Sequence, residues 1–144
     1  DLQRRIDSAG LSNRIRFIGE VPAAEVAQWY QRCLLTVACP REEPFGLTPF
    51  EAAATGCALL CSRTGAFEQL VREGLEGQLV PTDDLPALTR VLRTMLADPP
   101  RLIAMGQAAR QRVVDQFSVQ AEADGIARVY AQLFAQDLPG ARHD

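Results

Sequence analysis

The chain has 144 residues, 47% of them hydrophobic and 23% charged, the make-up of one globular domain with a core of its own. Its net charge is −3 and all fifteen of its cations are arginine, so lysine Schiff-base chemistry is excluded and no basic block marks a nucleic-acid binder. The lone His143 sits in a polar tail, which excludes Ser-His-Asp and Cys-His mechanisms carried by this chain alone.

The opening stretch Leu2–Ile6 reads as a helix entered midway, as a fragment boundary would leave it. Residues Arg14–Ile18 alternate with period two and stop at Gly19, so a strand is expected there. Val26, Trp29, Tyr30 and Cys33 then recur at helical spacing. Leu34–Ala38 is a short continuous apolar run that suits a buried parallel strand. A loop through Cys39–Leu47 leads into a helix expected to begin near Pro49. Ala58–Cys61 is the next strand, followed by a turn at Thr64 and Gly65 and a short helix with Phe67, Leu70 and Val71 inward. Gly77–Val80 is the last strand, closed by Pro81.

The remainder is helical. Leu88, Val91, Leu92, Met95 and Leu96 form one stripe, and Asp98-Pro99-Pro100 interrupts it. Leu102, Met105, Ala109, Val113 and Phe117 form a second stripe. Ser118 is a candidate N-cap for a third helix, whose stripe is Ile126, Val129, Tyr130, Leu133 and Phe134. Helical spacing assigns these aromatic and methionine positions to the core. Strands alternating with helices imply βαβ units, so the fold class is α/β: a parallel Rossmann-like sheet with a helical C-terminal segment. Residues 1–136 form the domain and 137–144 a flexible tail.

Cys33, Cys39, Cys57 and Cys61 form no C-x-x-C pair and read as buried thiols of a reducing compartment. No zinc-type spacing occurs, so neither a metal nor a cofactor is expected. No apolar stretch reaches spanning length, and neither a membrane span nor a signal peptide is expected in this stretch of sequence.

Ligands of open parallel sheets bind beyond the carboxyl ends of the strands, where Cys39–Glu51 lies. Gly46 lets a ligand approach the backbone, and the following helix start offers N–H groups and a positive dipole end to a phosphate. Glu43 and Glu51 flank that feature and can accept hydrogen bonds from sugar hydroxyls. Local alternatives stand beside this reading. Thr48 to Glu51 also spells a capping box, with proline at the first helical position. Glu43 also reads as a solvated loop acid beside Glu42, and Phe45 as core.

The run E-P-F-G-L-T-P-F-E over Glu43–Glu51, continued by A-A-A-T-G, resembles the signature of the GT4-type retaining glycosyltransferases of GT-B fold. The resemblance extends to Phe17–Gly19, to Ser62–Glu68, to Gly77–Asp83 and to Phe117-Ser118, so it covers nearly the whole chain in order. Within the family the run is most similar to bacterial lipopolysaccharide-core transferases.

The resemblance implies a role for each matching position. Glu43 would face the donor sugar and serve as the catalytic position. The backbone of Phe45, Gly46 and Leu47 would meet sugar and diphosphate, Thr48 would sit beside the phosphates, Glu51 would accept the ribose hydroxyls, and Val21 would lie near the base. The implied substrate is a UDP- or GDP-sugar, with a glycan or lipid-linked acceptor. Cytoplasmic placement is implied, with peripheral attachment to the membrane through the parent protein. Two departures are visible: Cys39-Pro40 stands where the family has Pro-Ser, and Ala66 where it has a second glycine.

The resemblance also implies that an acceptor-binding N-terminal domain, two central strands and the Arg/Lys pair gripping the diphosphate lie outside this chain. The isolated chain is then expected to be inactive, and a non-catalytic nucleotide-binding module or a structural interaction domain is the alternative. The Arg14–Ile18 and Leu34–Ala38 strands would face a gap, either closing up or pairing with a second copy as a homo-oligomer.

Overall fold

The computed structural model describes residues 1–136. Its elements are α1 (Leu2–Ser8), α2 (Ala23–Tyr30), β1 (Leu35–Ala38), α3 (Leu47–Ala54), β2 (Ala58–Ser62), α4 (Phe67–Leu70), β3 (Gly77–Val80), α5 (Leu85–Leu96), α6 (Pro99–Gln116) and α7 (Val119–Gln136). The strands pair in the order β1-β2-β3, all parallel, with Leu35 opposite Ala58 and Leu59 opposite Gly77. All three carboxyl ends therefore open on one side.

β2 is the middle strand and every one of its residues is buried, which is why its sequence shows no polar alternation. Successive side chains still point to opposite faces. Leu59 and Cys61 join Phe50, Phe67, Leu70 and Ala109 on one face. Ala58 and Leu60 join Val80, Met95, Leu102 and Met105 on the other. Two aspartates set the helices that cover the second face. Asp84 accepts from the Ala87 N–H at 2.8 Å, and Asp98 from the Arg101 N–H at 3.1 Å. The interruption at Asp98 is thus the start of α6, with Pro99 where a missing N–H costs nothing.

Several expectations need correction. Arg14–Ile18 forms no strand: the segment is irregular and exposed, because an alternating pattern needs a neighbouring strand and an apolar surface to settle against. β1 consequently has no partner on its outer edge among the described residues, and Val37 is exposed there. The stripe of α7 is not core, since Ile126, Val129, Tyr130, Leu133 and Phe134 are all exposed; so is Leu96 at the end of α5. Only Cys57 and Cys61 are buried thiols, whereas Cys33 and Cys39 are exposed at the two ends of the edge strand. The stripe of α6 is buried from Leu102 to Ala109, with Val113 and Phe117 half-buried. Residues 137–144, read as a tail, lie outside the described residues. Among the described residues no helix is long and apolar enough to cross a membrane.

Candidate functional site

The loop from Cys39 to Gly46 leaves the carboxyl end of β1 and is fixed from three sides. The Ser62 hydroxyl, at the end of β2, donates to the Pro40 carbonyl at 2.7 Å. The turn at Gly65 lies against the next residues: a Cβ there would stand 2.5 Å from the Glu43 carbonyl oxygen. Gly46 has φ 64, and a Cβ on it would come within 2.6 Å of Glu43 Cγ and 2.8 Å of the Phe67 ring. Both the left-handed backbone and the crowding demand glycine at 46. Glu43 is half-buried between these elements, and its carboxylate accepts from the Phe45 N–H at 3.3 Å.

The helix after this loop begins at Leu47, two residues earlier than Pro49, with Gly46 as its N-cap. No side chain caps it. The capping-box alternative is therefore wrong. Thr48 lies inside the first turn, where its hydroxyl cannot reach the N–H groups an N-cap residue serves. Glu51 sits one turn in, with an exposed carboxylate that accepts no hydrogen bond within the described residues. The N–H groups of Leu47 and Thr48 also lack an acceptor there, and Pro49 has no N–H to satisfy. A helix start with bare donors, flanked by two carboxylates, can bind an anion and hydroxyl groups together.

Phe45 is exposed and not core, but it is not loose. Its ring stacks on Phe50 at 5.3 Å, and Phe50 meets Phe117 edge-on at 5.1 Å. These rings, with Leu47, Gln116 and Glu122, line an open cavity of about 370 Å³ beside the loop. A cavity of similar size, about 380 Å³, lies between α5 and α6 by Gln78, at the amino end of β3 and away from this loop. Val21 is half-buried in the segment leading into α2, apart from the loop. Tyr30, at the end of α2, was not anticipated. Burial raises the pKa of its hydroxyl, a hydrogen bond with Thr48 opposes that rise, and the charge of Glu51 adds to it, so Tyr30 stands beside both residues.

Sequence reading also missed Ser62, Gly65 and Phe67 as supports of Glu43. The signal was present in the parallel order, which puts the residues following β1 and β2 side by side. Ala66, where a glycine was expected, has φ −67 and is buried at the start of α4, so an alanine sits there without strain. Cys61 offers no nucleophile from below: burial, then the neighbouring Cys39, pushes its thiol up to about 12.

Comparison with known proteins agrees with this architecture. Residues 1–112 match the family model of glycosyl transferases group 1. A lipopolysaccharide core biosynthesis mannosyltransferase, LpcC, from Rhizobium leguminosarum bv. viciae is 40% identical over 136 residues, covering 94% of this chain and 38% of that protein. The chain thus spans well under half the length of this curated relative. The C-terminal domain of a glycosyl transferase group 1 family protein (LpcC) from Francisella tularensis superposes with TM-score 0.75 at 25% identity, over 82% of this chain and 61% of that one. Anabaena Alr3699/HepE in complex with UDP superposes with TM-score 0.80 at 25% identity, over 91% of this chain and 36% of that one. The α/β fold is that of the C-terminal domain of GT-B glycosyltransferases, and the chain belongs to the group 1 glycosyl transferases.

Proposed function

We propose that this chain is the donor-binding part of a retaining glycosyltransferase that moves a sugar from a nucleotide diphosphate to a glycan or lipid-linked acceptor. The observation that carries the reading is the uncapped start of α3, with bare N–H groups at Leu47 and Thr48 and an unpaired carboxylate at Glu51. In this reading the diphosphate lies on the helix start, Glu51 accepts the ribose hydroxyls, Val21 borders the base, and Glu43 holds the sugar against the backbone of Phe45 and Gly46. The anomeric C–O bond to the phosphate breaks, the acceptor oxygen bonds to that carbon on the same face, and its proton passes to the departing phosphate. Oriented N–H dipoles favour the charge that develops on the leaving group. The UDP in HepE and the mannosyltransferase name of LpcC support a nucleotide-sugar donor here.

Binding without turnover is the second reading for the chain by itself. Arg41 is the one cation of the loop, and it is engaged by Asp83 at 2.9 Å. The leaving diphosphate then has backbone donors but no free loop cation.

Calorimetric titration of the chain with UDP and GDP tests the proposal. Glu51→Ala is expected to weaken nucleotide binding roughly ten-fold or more, the scale of a lost charged hydrogen bond. Unchanged affinity for both nucleotides in Glu51→Ala would reject the assignment.

A further inference from the structure

The geometry points to Arg41 and Asp83 as a positioning pair that holds the Glu43 loop in place, an inference that rests on the sugar-facing role proposed for Glu43. β2 lies between β1 and β3, so the loops after the outer two strands meet only by passing over its carboxyl end. Among the described residues one side-chain link spans that distance: Arg41 Nε donates to Asp83 Oδ1 at 2.9 Å, joining positions 42 residues apart. Beneath it lies a cavity of about 190 Å³ lined by Cys39, Ser62, Val80, Thr82 and Asp83.

The backbone at Asp83 is adapted to this link. With φ 60 it is the one non-glycine residue with positive φ among the described residues. That region is unfavourable for most side chains and tolerable for Asp and Asn. The turn separates two consecutive aspartates by task. Asp84 caps α5 through the Ala87 N–H, while Asp83 faces the loop and takes Arg41. Asp84 alone would serve the helix, so capping does not explain the left-handed residue before it.

Glu43 follows Arg41 by two residues. Its backbone is confined on one side by Gly65 and its side chain by Gly46 and Phe67. The other side of the loop has the Cys39 thiol on the Leu60 carbonyl, the Ser62 bond to Pro40 and the Arg41–Asp83 pair. Both charges are exposed, so the pair's effect is modest and sensitive to salt. Its consequence is local: it sets the loop, and through it Glu43, without touching the start of α3.

Asp83→Asn is the discriminating variant, because asparagine keeps the left-handed backbone and removes only the charge. Amide hydrogen exchange in the ligand-free chain should quicken about two- to five-fold at Glu43, Phe45 and Gly46 in Asp83→Asn and in Arg41→Gln. The double variant should add nothing beyond either single change, and 1 M salt should quicken the wild type but neither variant. Unchanged exchange in Asp83→Asn, or additive effects in the double variant, overturns the pair. In titrations with UDP-glucose and GDP-mannose against UDP and GDP, Asp83→Asn should lose affinity for the nucleotide sugar and keep that for the bare nucleotide. A sugar increment that Asp83→Asn leaves intact overturns the positioning role. A wild type that binds none of the four ligands removes the proposed function instead, and the exchange data still decide whether the pair orders the loop.

Discussion

α6 and α7 are both eighteen-residue helices, each with an apolar stripe at helical spacing, yet they end in opposite environments. α6 sinks Leu102, Met105, Gly106 and Ala109 into the sheet and α3. α7 leaves its stripe in solvent, and Tyr130 and Phe134 stack on one another along its surface at 6.4 Å. Periodicity identifies the face a helix offers. It carries no information on what covers that face, because burial belongs to a pair of surfaces. α6 follows β3 and α5 and falls back across a sheet that is already apolar, whereas α7 meets chiefly α6 among the described residues.

The largest effect that separates the two helices is a methyl-bearing side chain removed from each. Leu102 is 2% exposed and Leu133 is 53% exposed. Leu102→Ala should cost about 2–5 kcal/mol of unfolding free energy, through lost transfer energy and the cavity left behind. Leu133→Ala should stay within about 0.5 kcal/mol, as surface changes do. Urea melts of the two variants check this. Equal losses would mean that α7 has a partner surface in solution.

A glycine-to-alanine change in each helix sharpens the contrast, because the two effects should differ in sign. A Cβ on Gly106 would fall 1.9 Å from the Gly56 carbonyl oxygen, backbone against backbone, so α6 can approach the turn before β2 only with glycine there. Gly106→Ala should destabilise by about 3 kcal/mol, since neither backbone can yield cheaply. A Cβ on Gly125 meets only the far end of Arg128 at 3.8 Å. Gly125→Ala should raise the local stability of α7 by about 0.5–1 kcal/mol, from the lower backbone entropy cost of alanine in a helix. Thermal melts report the first change and hydrogen exchange within α7 reports the second.

The same division explains what could be read in advance. β1, β2 and β3 were legible because short apolar runs between glycine and proline punctuation have few other uses. The Glu43–Glu51 run was legible as a family signature because its pattern is long, and it follows a strand, where such sheets bind ligands. Arg14–Ile18 misled because alternation is necessary for a half-buried strand but not sufficient: Phe17 and Ile18 have no surface beneath them. The capping-box alternative for Thr48 and Glu51 failed for a different reason. Thr48 and Glu51 have capping-box spacing, but the helix starts one residue before Thr48, and that start is decided by the left-handed Gly46 packed against Phe67. The surroundings of the Glu43 loop were hidden because Ser62, Gly65 and Phe67 are distant from it in sequence and reach residues 40–46 only through strand order.

A buried charge extends the comparison to electrostatics. Glu76 is fully buried just ahead of β3, where its carboxylate accepts from the Arg72 N–H at 2.8 Å and pairs with the Arg72 guanidinium. Burial alone would push this carboxyl up, but the Arg72 hydrogen bonds and the charges of Arg72 and of Arg112 on α6 hold it below the ordinary glutamate value of 4.5. The acids of α7, Glu122 and Asp124, are exposed. A folded-state value below the unfolded one means that Glu76 contributes stability fully present above about pH 4.5, lost as pH falls through its lowered folded value. Glu76→Gln should therefore cost about 2 kcal/mol at pH 7, the scale of charged hydrogen bonds, and the difference from wild type should shrink in acid. Asp124→Asn on exposed α7 should change stability at pH 7 by no more than about 0.5 kcal/mol, as surface changes do. Urea melts from pH 7 down to pH 3 measure both. A Glu76→Gln deficit that persists undiminished in acid would place its cause in packing and not in the charge.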